Sequence, residues 1–520
     1  MINTTVSSAR PATAQSLLKT DLNLVGLRYW SPLELTMALI LRICKRSTKT
    51  LTYQRLRQVR LLSNDVVTQF QNLLGESNVS IAETTRQHHG QDESPFPGAM
   101  PDVVVSPKNT EQVSSVAKIC YESKLPMIPY GTGTGLEGGV CAVKGGVCLD
   151  LSQMEESIDV NMSDLDATVT ASITRIALNN YLHDTGLWFP IDPGADASLC
   201  GMVATSASGT TAVRYGTMRE NVINLEVVLA DGSILHTAGK GLHPRKTAAG
   251  YNLTNLFVGS EGTLGIITKA TLRLYSIPEK MSATCSFPST EDAINSVEQI
   301  LLYNVPIVRI EFLDESAVDA CNKYSHLDHP VQPMIFLEFY GSKAEIESQV
   351  DIVEEVISSQ NGTELKWAKT TEEHSKLWKA RHNALYAAKA LRPGSKAKIT
   401  DVAVPISKLA EILTKTKEEI KKEDLLCCIV GHVGDGNFHC LVMHDPSNQQ
   451  ELEKIEAFSS KLAIFAQDLG GTCTGEHGIG LGKMKLLERE VGNTGISVMK
   501  SIKKALDPHN LLNPGKILKI

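Results

Sequence analysis

The chain has 520 residues, 42% of them hydrophobic, and a formal net charge of −7. This length suggests two or three domains with a large buried core, and the acidic balance argues against nucleic acid as a main partner. The eleven cysteines are scattered, several of them in apolar runs, which predicts reduced core residues of an intracellular protein.

The first 62 residues differ from the rest. They carry ten Lys and Arg, with Asp21 and Glu34 as the only acids, and many Ser, Thr, Leu and Ala. This composition is typical of a transit peptide, so we predict a leader over residues 1–65 and a mitochondrial location. A disordered basic tail is the alternative. The apolar piece 35–44 is too short to span a bilayer, and we expect no transmembrane segment.

From residue 101 onward, strand and helix patterns alternate. A first region is predicted to contain strands at 102–105, 146–151, 167–172 and 265–275, helices at 111–123 and 174–185, and a hairpin at 222–237. A second, α+β region is predicted to contain a strand at 307–313 and helices at 346–357, 409–420 and 499–506.

Three loops rich in glycine and hydroxyl groups lie in the first region. They cover residues 130–139, 192–216 and 259–265. Glycine lets backbone N–H groups approach and surround an anion. The first loop lacks the spacings of a P-loop and of a dinucleotide-binding fingerprint. Three such loops in one domain nevertheless suggest a cofactor that carries a pyrophosphate.

A second set of candidate residues lies in two glycine-rich turns near the C-terminus. Apolar runs flank Asp435-Gly436, which predicts a hairpin that brings His432 and His439 together. The later turn at 475–478 could supply Glu476 as a third ligand, with His477 as a spare imidazole. Two imidazoles and one carboxylate suit Zn²⁺, Mn²⁺ or Fe²⁺. The alternative is that these are ordinary loop residues.

Together these motifs resemble the vanillyl-alcohol-oxidase/PCMH-type FAD family, and within it the mitochondrial D-lactate dehydrogenases. The loops at 129–134, 201–216 and 259–265 match the flavin domain, and the motifs at 432–439, 475–478 and 507–516 match the remainder. The resemblance implies an α+β fold. A PCMH-type FAD-binding domain would cover residues 66–278, an α+β cap domain with the substrate and metal residues 279–490, and a C-terminal segment returning to the flavin domain 491–520.

The resemblance also implies which residues contact FAD. They are Tyr130, Gly131, Thr132, Gly133, Thr134, Gly135, Pro193, Gly194, Ser198, Gly201, Thr205, Ser208, Gly209, Tyr215, Gly216, Glu261, Gly262, Gly265, Ile266 and Asn513. Family members with covalent flavin often carry a histidine in the first loop. None lies between Tyr130 and Gly139, so we expect non-covalent FAD.

For the substrate, the resemblance assigns Arg381 to the carboxylate of a small 2-hydroxy acid. From the residues alone, pairing of Arg381 with Glu372 or Glu373 on a helix surface is the alternative. Relatives that oxidise D-2-hydroxyglutarate use a further Asn and Lys. This chain has Leu441 at the Asn position and Ile399 near the Lys position, with Lys398 one place away. We therefore expect a short substrate such as D-lactate.

The expected chemistry follows from these residues. His477 is the expected general base, the divalent metal is held by His432, His439 and Glu476, and the substrate hydride passes to FAD. The sequence shows no haem-attachment or iron–sulfur motif, so the electron acceptor is expected to be a separate molecule such as cytochrome c. The alternatives are a D-2-hydroxyglutarate or glycolate dehydrogenase, a non-redox transferase like alkyl-dihydroxyacetone-phosphate synthase, and a storage module without turnover.

Overall fold

The computed structural model describes residues 63–520, so the predicted leader lies outside the described residues except for its last three positions. In residues 63–276 the strands are β1 (Val79–Ser80), β2 (Val103–Val105), β3 (Met127–Tyr130), β4 (Val147–Asp150), β5 (Ile158–Asn161), β6 (Asp166–Thr170), β7 (Leu187–Trp188), β8 (Val222–Val228), β9 (Ile234–His236), β10 (Ile266–Arg273) and β11 (Tyr275–Ser276). The helices of this part are α1 (Asn64–Leu74), α2 (Glu83–His89), α3 (Thr110–Ser123), α4 (Arg175–Tyr181), α5 (Leu199–Thr205), α6 (Ala212–Tyr215), α7 (Met218–Asn221) and α8 (Leu253–Phe257).

Two main sheets organise this part of the chain. The first has the order β1-β2-β4-β3, in which β4 runs parallel to both β2 and β3. A parallel pair needs a crossover, and α3 supplies it between β2 and β3. This helix begins after Asn109, whose side chain accepts a hydrogen bond from the backbone N–H of Gln112 at 3.0 Å. The second sheet, β5-β6-β10-β8-β9, is antiparallel throughout.

The rest of the chain forms a larger antiparallel sheet with its own helices. Its strands are β12 (Lys280–Ser286), β13 (Arg309–Leu313), β14 (Met334–Tyr340), β15 (Lys366–Trp367), β16 (Lys396–Ile399), β17 (Val402–Ala403), β18 (Cys427–His432) and β19 (Asn437–His444). Its helices are α9 (Thr290–Leu302), α10 (Glu315–Ser325), α11 (Lys343–Ser359), α12 (Thr371–His382), α13 (Ala384–Ala390), α14 (Leu409–Lys422), α15 (Gln449–Asp468) and α16 (Met484–Leu506).

This sheet has the order β15-β12-β14-β13-β18-β19-β16, and β17 also pairs with β19. Successive side chains of a strand point to opposite faces. Cys440 and Val442 of β19 accordingly join one apolar cluster, and Leu441 and Met443 join another. Both faces are therefore covered, and the sheet holds the candidate ligands His432 of β18 and His439 of β19 in a rigid frame.

The C-terminal segment returns to the first sheet, as the family resemblance implied. Helix α16 contains Gly492 with a φ of 69°, where two helical segments meet at a kink. Farther on, the backbone N–H of Asn513 donates to the carbonyl of Met127 at 2.8 Å. Leu512 and Met127 also form a parallel bridge beside β3.

Most predicted elements are confirmed within one to three residues, but the predicted helix at 499–506 is the end of a longer helix that begins at Met484. Many other elements were not predicted, among them β12, β14, α9, α10 and α15. Strand β14 is buried along almost its whole length, so its residues lack the polar alternation that identifies a half-exposed strand. The ten cysteines of residues 63–520 are buried and unpaired, as expected. No helix in this part of the chain is long and apolar enough to cross a membrane.

Candidate active site

The hairpin of β18 and β19 places both candidate histidine ligands on one face of the large sheet. His432 pairs with Asn437 and His439 pairs with Val430, so the two histidines are diagonal neighbours. Their ring centroids lie 5.5 Å apart. Gly436 in the turn has a φ of 81°, which favours glycine. The spacing of the hairpin therefore brings the two imidazoles together, as predicted.

The second loop brings Glu476 to the same point. Its Oε1 atom lies 3.5 Å from Nε2 of His432 and 3.2 Å from Nε2 of His439. The opposite ring nitrogens face other acceptors, Glu311 at 2.8 Å and the carbonyl of Thr400 at 3.0 Å. These bonds orient both Nε2 atoms toward one shared position, as carboxylate and carbonyl partners do for metal-bound histidines. The Oε2 atom of Glu476 is buried without a hydrogen-bond partner. The donor set therefore fits a divalent metal.

The charges around this position also suit a cation. Burial disfavours a charged imidazole, yet Glu311 and Glu476 hold the pKa of His432 well above its ordinary value. Burial raises the pKa of a carboxyl, yet His432 and His439 hold the pKa of Glu476 well below its ordinary value. Metal binding requires a deprotonated imidazole, and with His432 neutral the buried carboxylates of Glu311 and Glu476 outweigh the charge of Arg381. A divalent cation would then take the place of the proton on His432.

His477 lies next to these groups in a different environment. Its ring stacks on that of His439, with centroids 5.0 Å apart and planes 10° apart. Its Nε2 atom is 3.7 Å from Oε1 of Glu476, and its Nδ1 atom is buried without a hydrogen-bond partner. Burial lowers the pKa of His477 to about 4, so the imidazole is neutral at pH 7. A neutral imidazole with an unpaired nitrogen can accept a proton.

A second set of possible ligands, Asp401, His439 and His477, lies close by. Asp401 already accepts hydrogen bonds from the hydroxyl of Thr474 at 2.7 Å and from the backbone N–H groups of residues 476 and 477 at 3.1 and 2.9 Å. Its other oxygen accepts from Asn437 at 2.8 Å. Because its lone pairs are used in this way, Asp401 holds the loop in place and is a poor candidate ligand.

Arg381 lies on α12 and reaches the same group through a carboxylate. It is buried, and its Nη2 atom donates to Oε2 of Glu311 at 2.5 Å. The other oxygen of Glu311 contacts His432. The alternative of a surface pair is wrong for Glu373, which instead forms the capping box at the start of α12. The Nε atom of Arg381 is buried without a partner, so the guanidinium retains donor capacity for a substrate.

Sequence reasoning missed Glu311 and Asp401, which orient the candidate residues. Glu311 lies in β13 with its side chain fully buried. The sequence signal was a pair of opposite charges, Arg309 and Glu311, in a short strand whose other residues are apolar, since Lys, Arg, Asp and Glu are almost never fully buried unless paired. Asp401 follows β16 in a short polar segment and gave no comparable signal.

The three glycine-rich loops meet at one place. A Cβ atom at Gly131 would lie 2.5 Å from Oγ of Ser198, and one at Gly262 would lie 3.1 Å from Pro129. The backbone N–H groups of Gly259 and Glu261 donate to the carbonyls of residues 203 and 204 at 2.9 and 2.8 Å. The first loop therefore touches both of the others, and these two are bonded to each other.

The polar atoms of these loops fit a large polar cofactor. The hydroxyls of Ser208 and Ser260 are buried without hydrogen-bond partners. Asn513 in the C-terminal segment donates to the carbonyls of Gly139 and Glu261 at 2.9 and 2.8 Å. The tail thus connects the first and third loops and fixes the spacing between them.

Some predicted FAD contacts have other neighbours. The ring of Tyr130 packs on that of His89 at 4.5 Å and supports the first loop from behind. Tyr215 lies against Tyr275, at 4.6 Å, and lines a cleft of about 630 Å³ together with Tyr340. The carboxylate of Glu261 accepts hydrogen bonds from the backbone of residues 479 and 480.

Comparison with known proteins identifies the family. Residues 101–238 match the model of an FAD binding domain, and residues 278–517 match the C-terminal domain of FAD linked oxidases. A Danio rerio protein named "Probable D-lactate dehydrogenase, mitochondrial" is 59% identical over 88% of this chain and 92% of its own length. The chain belongs to the FAD-linked oxidases. Within this family it falls with the mitochondrial D-lactate dehydrogenases.

Two further comparisons concern the relatives and the fold of this FAD-linked oxidase. An Arabidopsis thaliana relative named "D-lactate dehydrogenase [cytochrome], mitochondrial" is 42% identical over 91% of this chain and 83% of its own length. The solved structure of p-cresol methylhydroxylase has a TM-score of 0.74 at 18% identity and covers 88% of this chain and 97% of its own. The PCMH-type fold, the FAD cofactor and the mitochondrial location are thereby confirmed, while the transit peptide stays a prediction.

Proposed function

We propose that this FAD-linked oxidase oxidises D-lactate to pyruvate and passes the electrons to a separate acceptor. The observation that supports this most is the position of Glu476, whose Oε1 lies within 3.5 Å of the Nε2 atoms of His432 and His439. His477 and the Glu311–Arg381 pair lie directly beside these three groups. The names of the similar proteins agree with this substrate.

Two bound groups would supply the chemistry that side chains cannot. His432, His439 and Glu476 would hold Zn²⁺, Mn²⁺ or Fe²⁺, which would supply a Lewis acid for the 2-hydroxyl. The glycine-rich loops would hold FAD without a covalent bond, and the flavin would supply the acceptor for the C2 hydride.

The side chains of the protein perform the remaining tasks. Arg381 presents a planar set of N–H donors that binds the substrate carboxylate. Glu311 fixes the position of this guanidinium and also orients His432. His477, which is neutral at pH 7, takes the proton from the 2-hydroxyl oxygen.

The side chains next to His439 on the same face of the large sheet favour a short substrate. Leu441 is buried in the apolar cluster that also contains Trp378. Ile399 on the neighbouring strand pairs with Leu441 and packs against the same cluster. Lys398 pairs with Val442 and therefore points to the opposite face of the sheet. A second substrate carboxylate would meet two apolar side chains on the face of His439, so D-2-hydroxyglutarate fits less well.

The electron acceptor is proposed from the relatives alone. The Arabidopsis thaliana protein carries "cytochrome" in its name. Cytochrome c is therefore the acceptor that we propose, and reduction of cytochrome c by the purified protein with D-lactate measures it directly.

Anaerobic titration of the purified full-length protein tests the proposal. D-lactate should bleach the visible absorbance of the bound flavin, and L-lactate should not. The value of kcat/KM should be higher for D-lactate than for glycolate or D-2-hydroxyglutarate. A flavin that stays oxidised with D-lactate would favour the non-redox transferase. A higher kcat/KM for D-2-hydroxyglutarate would show that this acid, and not D-lactate, is the substrate.

The same preparation tests the two bound groups. Acid precipitation should release yellow flavin into the supernatant, whereas covalent FAD would stay with the pellet. Elemental analysis should find about one divalent transition metal per chain, and removal of this metal with a chelator should abolish bleaching by D-lactate.

A further inference from the structure

The loop that carries Glu476 and His477 is held from two sides. We call residues 474–482 the ligand loop. Its first part is bonded to Asp401 from the large sheet, through the hydroxyl of Thr474 and two backbone N–H groups. Its second part is bonded to Glu261 and Glu137, which belong to two of the glycine-rich loops.

Glu261 makes the most direct of these contacts. Its buried carboxylate accepts the backbone N–H of Ile479 at 2.7 Å through one oxygen and that of Gly480 at 2.8 Å through the other. Burial raises the pKa of Glu261 to about 7. The two backbone donors act in the opposite direction, because they stabilise the charged carboxylate. A Cβ atom at Gly478 would lie 2.8 Å from Oε1 of Glu261, so the ligand loop fits closely against it.

Glu137 of the first glycine-rich loop adds a second tie. Its carbonyl accepts the backbone N–H of Leu481 at 2.8 Å. Its carboxylate lies 3.0 Å from Nζ of Lys483, which is also 3.6 Å from Asp401. Both carboxylates are buried and the lysine side chain is largely covered, so the chain Glu137–Lys483–Asp401 connects the first glycine-rich loop to the carboxylate that holds the ligand loop.

We infer that Glu261 is a positioning residue for the ligand loop, through which the binding of FAD and the binding of the metal strengthen each other. The inference rests on the metal site proposed above. A cofactor that fixes the loops at 130–139 and 259–265 also fixes residues 479–481, and with them the position of Glu476. Because binding free energies are linked, the metal must raise the affinity for FAD by the same factor.

The test compares FAD affinity with and without metal. Full-length holoenzyme is saturated with Zn²⁺ or treated with a chelator, and the flavin released on dilution is measured by fluorescence. In the wild type, removal of Zn²⁺ should raise the Kd for FAD about tenfold, within the range of about 5- to 150-fold that coupled sites show. The ratio of the two Kd values is the readout, and a purely structural loss of stability would not change it.

Two variants weaken the contact between the glycine-rich loops and the ligand loop, one on each side of it. In Glu261→Gln, the amide has one acceptor oxygen, so one of the two N–H groups loses its partner. In Gly480→Ala, the added Cβ atom would overlap the carbonyl of Glu137. In each variant, the ratio of the Kd for FAD without Zn²⁺ to the Kd with Zn²⁺ should be close to one. Glu476 would still be present in both, and Zn²⁺ affinity measured by chelator competition should fall.

Asp314→Asn is the matched control. Asp314 is a buried carboxylate with a pKa raised to about 7 by burial, and it accepts the backbone N–H groups of Ala317 and Ile429 at 2.8 and 3.1 Å. It touches neither the ligand loop nor the glycine-rich loops through these bonds, so its variant should keep the wild-type ratio.

Each of the other outcomes contradicts a specific part of the inference or of the proposed metal site. If the wild type binds Zn²⁺ but its affinity for FAD does not change on chelation, the inference fails and the proposed function stands. If the wild type binds no Zn²⁺, the metal site and the inference both fail. If Glu261→Gln keeps the wild-type ratio, or Asp314→Asn loses it, Glu261 is not the link.

Discussion

At the scale of single residues, the site depends on carboxylates that orient other side chains. Glu311 contacts both Arg381 and His432, and Asp401 holds the backbone around Glu476 and His477. Removing one partner from such a buried set leaves a charge without compensation, which costs more than the lost contact alone. Substitutions here therefore need readouts that separate binding from catalysis.

Replacement of Arg381 by Ala should weaken substrate use while FAD stays bound. A charge-assisted hydrogen-bond contact contributes about 1.5–3 kcal/mol, which corresponds to a ten- to hundredfold loss in kcat/KM for D-lactate. The control is Arg392→Ala, because Arg392 pairs with Glu451 at the surface and should leave kcat/KM unchanged. An unchanged kcat/KM in Arg381→Ala would show that this arginine is only structural.

Glu476 and His477 should give two different kinds of variant. Glu476→Ala should lose metal and activity together, since one of three ligands is removed. His477→Ala should keep metal and FAD yet lose about 10²–10⁴ in the rate of flavin reduction, as expected for loss of a general base. Metal analysis and stopped-flow absorbance measure the two effects. If His477→Ala loses the metal and Glu476→Ala keeps it, the two roles are reversed.

At the scale of secondary-structure elements, a buried ion pair joins the large sheet to the loop at 192–194. Arg309 in β13 lies 2.9 Å from both Asp192 and Glu338, and its guanidinium packs on the ring of Trp378. Trp378 is on α12, the helix that carries Arg381. Strand β13 thus sets the distance between the second glycine-rich loop and the helix with the substrate arginine.

Arg309→Met should therefore destabilise the protein strongly. It removes the arginine that Asp192 and Glu338 share, and loss of one partner from a buried pair costs about 3–5 kcal/mol. Although burial raises the pKa of Glu338, His374 and Arg309 lower it to about 2. The contribution of Glu338 is thus present at neutral pH and is lost as the pH falls below its unfolded value toward 2.

Urea unfolding at pH 7 measures the effect of Arg309→Met. Lys343→Met is the control, since its pair with Glu347 is exposed and should contribute less than about 1 kcal/mol. Equal unfolding midpoints for the two variants would contradict the role of Arg309.

At the scale of the whole molecule, the C-terminal segment connects parts that are far apart in the chain. Asn513 bonds the first and third glycine-rich loops to each other, and Lys516 donates to the carbonyl of Cys141 at 2.7 Å. The tail can therefore contribute to FAD binding by holding loops that other segments supply.

Asn513→Gly should release FAD more readily than the wild type. The backbone at Asn513 has a φ of 40°, which glycine adopts without strain, so the variant removes the side chain alone. Two carbonyls lose a donor, and we expect the Kd for FAD to rise at least about tenfold. Flavin fluorescence on dilution measures it. Lys519→Ala in the exposed end of the tail is the control, and an equal Kd in both variants would contradict the role of Asn513.

The sequence alone determined those features that local spacing encodes. The apolar runs on both sides of Asp435-Gly436 predicted a hairpin that brings His432 and His439 together, and glycine density marked the three loops. These predictions were possible because a turn and its flanking strands interact over a few residues, and such contacts leave a regular pattern in the sequence.

Only the tertiary structure decided which carboxylates complete the site. Glu311 lies 121 positions from His432, and Asp401 lies 75 positions from Glu476, yet both pairs are bonded. No local pattern specifies such pairs, because their proximity depends on how β13, β18 and the segment after β16 pack together. The ties of Glu261 to residues 479 and 480 are of the same kind, since contacts between distant segments form only when the whole fold brings their backbones together.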